Sequence, residues 1–178
     1  MNEGYDTTSM DRIAESAGAS KRTVYNHFPS KEALFKAVLE RMMSETMALK
    51  RIDYSPDRPL EDQLAQFADA KLAFVKNPAW LGMLKVAIAV FIGNSDLARE
   101  IMMQAEDEKD YLAEWLTRAH RDGRLNVSDP CLAARAFWAM VGGAFILPVI
   151  FGEDAKLPGT TALKSELVRI FLSRYLPE

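Results

Sequence analysis

Residues 8–31 read TSMDRIAESAGASKRTVYNHFPSK, two short helical patterns around a glycine turn. Thr8 is an N-cap candidate, because its hydroxyl can accept from the unpaired N–H groups of a first helical turn. Met10, Ile13, Ala14 and Ala17 recur at i, i+3, i+4 and i+7, which makes one apolar stripe of a helix. Gly18 takes a positive φ at little cost and stops that helix. Ser20 caps a second helix almost at once, and Pro29 ends it. A helix, a short glycine turn and a second helix form the helix-turn-helix pattern.

With Val24 at zero on a helical wheel, Phe28 falls about 40° away, and Arg22 and Asn26 fall about 160° and 200° away. Val24 and Phe28 therefore face inward, and Arg22 and Asn26 face outward with Thr23 and Tyr25 beside them. A guanidinium can pair with guanine O6 and N7, and a carboxamide with adenine N6 and N7. Ser30 caps a third helix, whose first turn holds Lys31 beside N–H groups that favour a phosphate. Tyr25, His27 and Lys31 suit contacts to a DNA backbone, which set register without reading sequence. On composition alone, an amphipathic helix with a solvated polar face explains the same residues equally well.

The wider stretch GYDTTSMDRIAESAGASKRTVYNHFPSKEALFKAVL, residues 4–39, resembles the DNA-binding region of the tetracycline-repressor (TetR) family of bacterial transcription regulators. The elements that carry the resemblance are Gly4-Tyr5, Ile13-Ala14, Ala17-Gly18, Ser20-Lys21, Thr23-Val24-Tyr25, His27-Phe28 and Ser30-Lys31-Glu32-Ala33-Leu34. It implies an all-helical homodimer whose paired recognition helices enter successive major grooves of a near-palindromic operator. Carried over position by position, it implies DNA contacts from Lys21, Arg22, Thr23, Tyr25, Asn26, His27 and Lys31. Members of that family carry a further helix ahead of the Gly-Tyr lead-in, whereas only Met1, Asn2 and Glu3 precede Gly4 here. The expectation is a sequence lacking its first segment. The alternative is a helical dimer that binds a ligand or a protein partner without reading DNA.

Composition narrows the class. A chain of 178 residues, 49% hydrophobic and 26% charged, has the make-up of a soluble globular protein of one domain or two small ones. Residues 1–15 contain no apolar run of the kind a signal peptide needs. The single cysteine, Cys131, excludes an intrachain disulfide and fits a reducing cytoplasm. The net charge of −3 argues against a protein that coats nucleic acid indiscriminately, but a specific reader needs only a local basic face.

Beyond residue 31 the pattern is helical throughout, so the fold class is all-α. The turn-forming run Asp53-Tyr54-Ser55-Pro56-Asp57-Arg58-Pro59 separates a DNA-binding region with its connecting helix, residues 1–50, from an effector-binding and dimerisation region, residues 51–178. Trp80 to Ile92 is apolar nearly all round and reads as a buried helix. Asn94 to His120 reads as one long helix whose acidic centre, Glu106 to Asp110, is a solvated face.

Ala136 to Phe151 contains no charged residue, but it is shorter than a membrane span and carries Gly142, Gly143 and Pro148. It reads as a helix buried on several sides, one of them against a second subunit. The last helix has two stripes: Leu163, Leu167, Ile170 and Arg174, and Lys164, Val168, Phe171 and Tyr175. Two such helices per subunit make a four-helix dimer interface, with Phe137, Val141, Phe145, Leu167, Phe171 and Tyr175 as its candidate residues. The family pattern implies the same pairing.

Large, soft side chains crowd the middle of the chain. Phe67, Trp80, Met83, Met102, Tyr111, Trp115 and Trp138 are the candidates to line a small-molecule pocket, which the resemblance places in this region. For any one of them, plain core packing is the simpler account. Asn94, Gln104, Glu108 and His120 are the few polar groups available to orient a ligand. So little inward charge favours an apolar or aromatic effector. No Gly-rich phosphate loop and no metal-ligand spacing occurs, and His27, His120 and Cys131 lie too far apart in sequence to suggest a nucleophile–base pair. The sequence calls for no cofactor, no enzymatic activity and no membrane partner.

Overall fold

The computed structural model describes residues 5, 7–48, 52–106, 110–152 and 160–177, the side chains at 43, 45–48 and 104–106 excepted. Among these residues the chain is helical, with no strand. The elements are α1 (Met10–Ser16), α2 (Lys21–His27), α3 (Lys31–Ala48), α4 (Leu60–Val75), α5 (Pro78–Gly93), α6 (Ser95–Glu106), α7 (Tyr111–Arg121) and α8 (Pro130–Val141). A π-helical turn (Gly142–Ile146), α9 (Leu147–Ile150) and α10 (Thr160–Tyr175) complete them. They form two compact units, Met1–Glu45 with Gly82–Glu108, and Thr46–Leu81 with Lys109–Glu178.

In the first unit, α1 and α2 bury Met10, Ala14 and Val24 against Ile13, Ala19, Phe28 and Leu34. A second cluster joins Phe35 and Leu39 of α3 to Ala87 of α5 and to Leu97 and Ile101 of α6. This is why residues 82–108 fold with the head despite their distance in sequence: the apolar face of α3 needs cover. Of α5, Ala87 is buried, Met83, Val86, Val90 and Phe91 are partly covered, and Ile92 is 83% exposed. The expectation of a fully buried helix there is corrected, because an all-round apolar pattern does not say which sides find a partner.

In the second unit, α4 packs on α10 and on the π turn, and α8 packs on α7 and α10. Trp115, Phe137 and Phe145 are fully buried in this core. Each such side chain contributes roughly 1.5–3 kcal/mol through removal from water. By length and composition Pro130–Ile150 is apolar enough to cross a membrane. Here Ala133, Ala134, Phe137, Val141, Phe145 and Val149 on this segment are buried, and all but Val149 belong to the cluster shared with α4 and α7.

The stretch read as one helix from Asn94 to His120 is two. Asp110 is extended, and its carboxylate accepts from the N–H groups of Leu112 (2.9 Å) and Ala113 (3.4 Å) to start α7. An aspartate ahead of Tyr-Leu-Ala is an N-cap, and that local signal outweighs the helical period around it.

Candidate nucleic-acid interface and ligand region

The cap of α1 is Ser9 rather than Thr8, with its hydroxyl taking the Arg12 N–H at 3.3 Å. Gly18 sits at φ 63°, where a side chain is strained, and the Ala19 N–H closes the turn on the Ala14 carbonyl at 3.0 Å. Ser20 caps α2 by accepting from the Thr23 N–H at 3.1 Å, and its hydroxyl lies 2.8 Å from that of Thr23. The turn therefore fixes where α2 begins, and the burial of Val24 fixes which way it faces.

Lys21, Arg22, Thr23, Tyr25, Asn26 and His27 are all exposed on α2. Among the described residues, Arg22 and Asn26 make no hydrogen bond or ion pair, so both outward-facing groups are available to a partner. Lys21 is not. It donates to Asp11 of α1, and this hydrogen bond holds its ammonium above the usual lysine range. Lys31 is half-buried, donates to the Tyr5 carbonyl at 2.9 Å and lies 4.3 Å from the centre of the Tyr5 ring. Tyr5 in turn meets Phe35 edge-on at 5.1 Å. Sequence pattern gives neither Asp11 nor Tyr5 a partner. Their partners lie 10 and 26 residues away, beyond the reach of helical periodicity.

Residues 1–38 match the family described as "Bacterial regulatory proteins, tetR family". Residues 62–177 match "AefR-like transcriptional repressor, C-terminal domain". The chain belongs to the TetR family. Its members are transcriptional regulators, not enzymes. Among curated TetR relatives, the HTH-type transcriptional regulator RutR of Escherichia coli (strain K12) is 27% identical over 139 residues. That alignment covers 76% of this chain and 63% of RutR, so the chain spans about three-fifths of that relative's length. Among solved structures, a TetR family transcriptional regulator from Pseudomonas syringae pv. tomato str. DC3000 superposes with a TM-score of 0.78 at 29% identity. The match covers 99% of this chain and 90% of that one. The flavonoid-responsive regulator FrrA gives 0.73 at 29% identity, with the same two coverages.

The seven ligand candidates of this TetR-family chain divide between the units. Met83 is partly buried against Phe35 and Leu39 in the first unit, and Met102, also there, is exposed. Phe67, Trp80, Tyr111, Trp115 and Trp138 belong to the second. Phe67 stacks edge-on against both Trp115 (6.1 Å) and Trp138 (6.3 Å). Phe67 and Trp115 are buried core, and the cleft beside Trp115 and Tyr111 offers only about 10 Å³. Trp138 and Tyr111 are half-buried, and the Trp138 indole donates to Asp110 at 3.1 Å. The indole N–H of Trp80 is buried with no acceptor. Of the four polar candidates, Asn94 caps α6 through the Leu97 N–H, and His120 Nδ1 accepts from the Val127 N–H at 3.3 Å. Gln104 and Glu108 lie outside the described side chains.

Of the six dimer candidates, Phe137, Val141, Phe145 and Phe171 are buried within the single chain, with Phe137 meeting Phe171 at 5.2 Å. In the single chain none of the four is open to a partner. Their apolar spacing marks a buried face, but the cover is α4, α7 and α10 of the same chain. Leu167 and Tyr175 are partly exposed. The open stripe of α10 is Leu163 and Ile170, the latter 51% exposed.

Proposed function

We propose that this chain is a dimeric transcriptional repressor that binds a near-palindromic operator through α2 and is released by a small aromatic effector held in its second unit. The observation that carries the reading is the pair Arg22 and Asn26, outward on a capped helix and free of internal partners, above the core of Met10, Ala14 and Val24. That pair reads bases, while Tyr25, His27 and Lys31 hold backbone phosphates and set register, with Thr23 beside them and Lys21 joining only on release from Asp11. Repression rather than activation is supported by the likeness of residues 62–177 to the AefR-like repressors. An aromatic effector is supported by the likeness to a flavonoid-responsive regulator and by the Phe67, Trp115 and Trp138 assembly. Dimerisation is assigned to the open stripe of α10, Leu163, Leu167 and Ile170, with Tyr175 at its edge. Action in the cytoplasm belongs to the same reading.

Footprinting on DNA flanking the chain's own gene tests this, at one fixed salt concentration because phosphate contacts make affinity salt-dependent. Arg22→Ala with Asn26→Ala removes two base-reading contacts of about 1–3 kcal/mol each, a loss of roughly 30- to 10⁴-fold, with the fold intact. Absence of any sequence-specific protection, or undiminished binding by the double variant, sinks the proposal.

A further inference from the structure

In the second unit the Tyr54 hydroxyl and the Trp80 indole N–H are buried without partners among the described residues, and the Lys71 ammonium has no acceptor there; Lys71 lies on α4, and Trp80, from α5, packs against the same helix. Phe67, Lys71 and Phe74 lie at i, i+4 and i+7 along that helix, so they share a stripe. The Lys71 ammonium lies 5.6 Å from the Trp138 ring centre. Among the described residues it makes no hydrogen bond and no ion pair. Asp110 is the nearby carboxylate, but its Oδ1 already takes the N–H groups of Leu112 and Ala113, and its Oδ2 takes the Trp138 indole. One turn along, Phe74 meets Trp80 at 5.5 Å, and the Trp80 indole N–H is buried without an acceptor.

Lys71 is half-buried with no acceptor among the described residues, and a buried indole N–H left unpaired is costly. Folded proteins rarely keep such groups unless something outside the chain meets them. The unmet groups along α4, Lys71 and Trp80, are donors, so what meets them is an acceptor. One of the donors is a cation lying under an aromatic ring, so the fitting acceptor carries negative charge on an aromatic frame. Burial also pushes the Lys71 ammonium below the usual lysine range, and Asp110 offsets this only in part. An incoming anion would supply the missing balance.

We infer that Lys71 is the charge anchor for an acidic aromatic effector, whose carboxylate pairs with the Lys71 ammonium while its ring lies against Trp138. The inference rests on the effector site proposed above and narrows its ligand from an apolar aromatic to an organic anion. Sequence pattern does not mark the site, because a lysine among apolar residues of a helix ordinarily packs its stem and extends its head to water.

The test titrates the full chain, free of DNA, with benzoate, salicylate and cinnamate and with the corresponding neutral amides. Calorimetry and tryptophan emission give the affinities. Wild type binds at least one acid, roughly 10- to 100-fold more tightly than its amide, as expected for a charge-assisted hydrogen bond. Lys71→Met abolishes that preference and Lys71→Arg keeps it. A structural lysine would alter the melting temperature of both variants without touching the acid-over-amide ratio. The inference is overturned if no acid binds wild type, if acids and amides bind equally, or if the preference survives in Lys71→Met. Operator binding by ligand-free protein is measured separately. A chain that reads an operator but ignores acids removes this inference alone, and a chain that prefers acids through Lys71 but reads no operator removes the regulatory reading alone.

Discussion

Replacing Gln63 with leucine should destabilise the second unit more than any surface change. Gln63 is fully buried and makes five hydrogen bonds. Its Oε1 accepts from the Ser55 N–H (2.8 Å) and the Trp115 indole (3.2 Å). Its Nε2 donates to the carbonyls of Ser55 (2.9 Å), Arg58 (3.0 Å) and Pro59 (3.4 Å). Leucine is branched and slightly bulkier, and it leaves the Ser55 N–H and the Trp115 indole without acceptors. The carbonyls fare better, because Arg124 also donates to Ser55 (3.2 Å) and Arg58 (3.0 Å). Two orphaned donors at about 1–3 kcal/mol each give a loss of roughly 2–6 kcal/mol, a large share of a typical total stability of about 5–15. In a chain of this size, at about 2–4 °C per kcal/mol, that corresponds to a fall in melting temperature of about 5–20 °C. Urea unfolding supplies the free energy. Because Gln63 and Arg124 serve the same carbonyls, Gln63→Leu with Arg124→Met should cost more than the sum of the two. A Gln63→Leu variant within 0.5 kcal/mol of wild type, or strict additivity with Arg124→Met, would refute the reasoning.

Gly18→Ala should cost about 1–2 kcal/mol at φ 63° with no steric clash, and Gly18→Asn less, as read by thermal melting of the head and by operator affinity. Lys71 has its folded pKa lowered from 10.5, so between that lowered value and 10.5 the unfolded chain binds more protons and stability rises with pH. The stability difference, wild type minus Lys71→Met, should therefore grow as pH climbs from neutral towards 10.5, and a flat difference in urea unfolding would count against it. Ile170→Asp, on the open stripe of α10, should give folded monomers by sedimentation and abolish operator binding at low concentration; a variant that stays dimeric removes that stripe from the interface.

The helix-turn-helix was legible because everything that fixes it is local. Ser20, Gly18 and Pro29 punctuate it, and the wheel alone separates Val24 from Arg22 and Asn26. The break before α7 was equally local, since Asp110 precedes an apolar run, but it lay inside a charged stretch that helical period reads as continuous. Other features depend on residues far apart in sequence. Trp115 reaches Gln63 across 52 positions, and Trp138 reaches Asp110 across 28. No spacing rule brings such pairs together, so nothing in the sequence marked Gln63 or Lys71, and Asp110 fell within a run read as a solvated face. The candidate dimer residues show the converse. The pattern reads Phe137, Val141, Phe145 and Phe171 as buried against a second subunit; they are buried within the one chain, and period cannot say which chain supplies the cover.

Along the segment that begins at α8, buried side chains recur at every fourth position: Phe137, Val141, Phe145 and Val149. In an α-helix each such step overshoots a full turn by about 40°, so Val149 would end roughly 120° round from Phe137. The π turn at Gly142–Ile146 holds more residues per turn and takes up part of that drift. It sets the phase between the two halves of the segment. A methyl group added at Gly142 or Gly143 meets nothing within 4 Å, so alanine fits at either. A π turn advances less per residue than an α turn, so removing one residue and returning to regular pitch leaves Phe145 and Val149 facing nearly the same way. At this point the chain can lose a residue without losing its core face, which a regular helix cannot do.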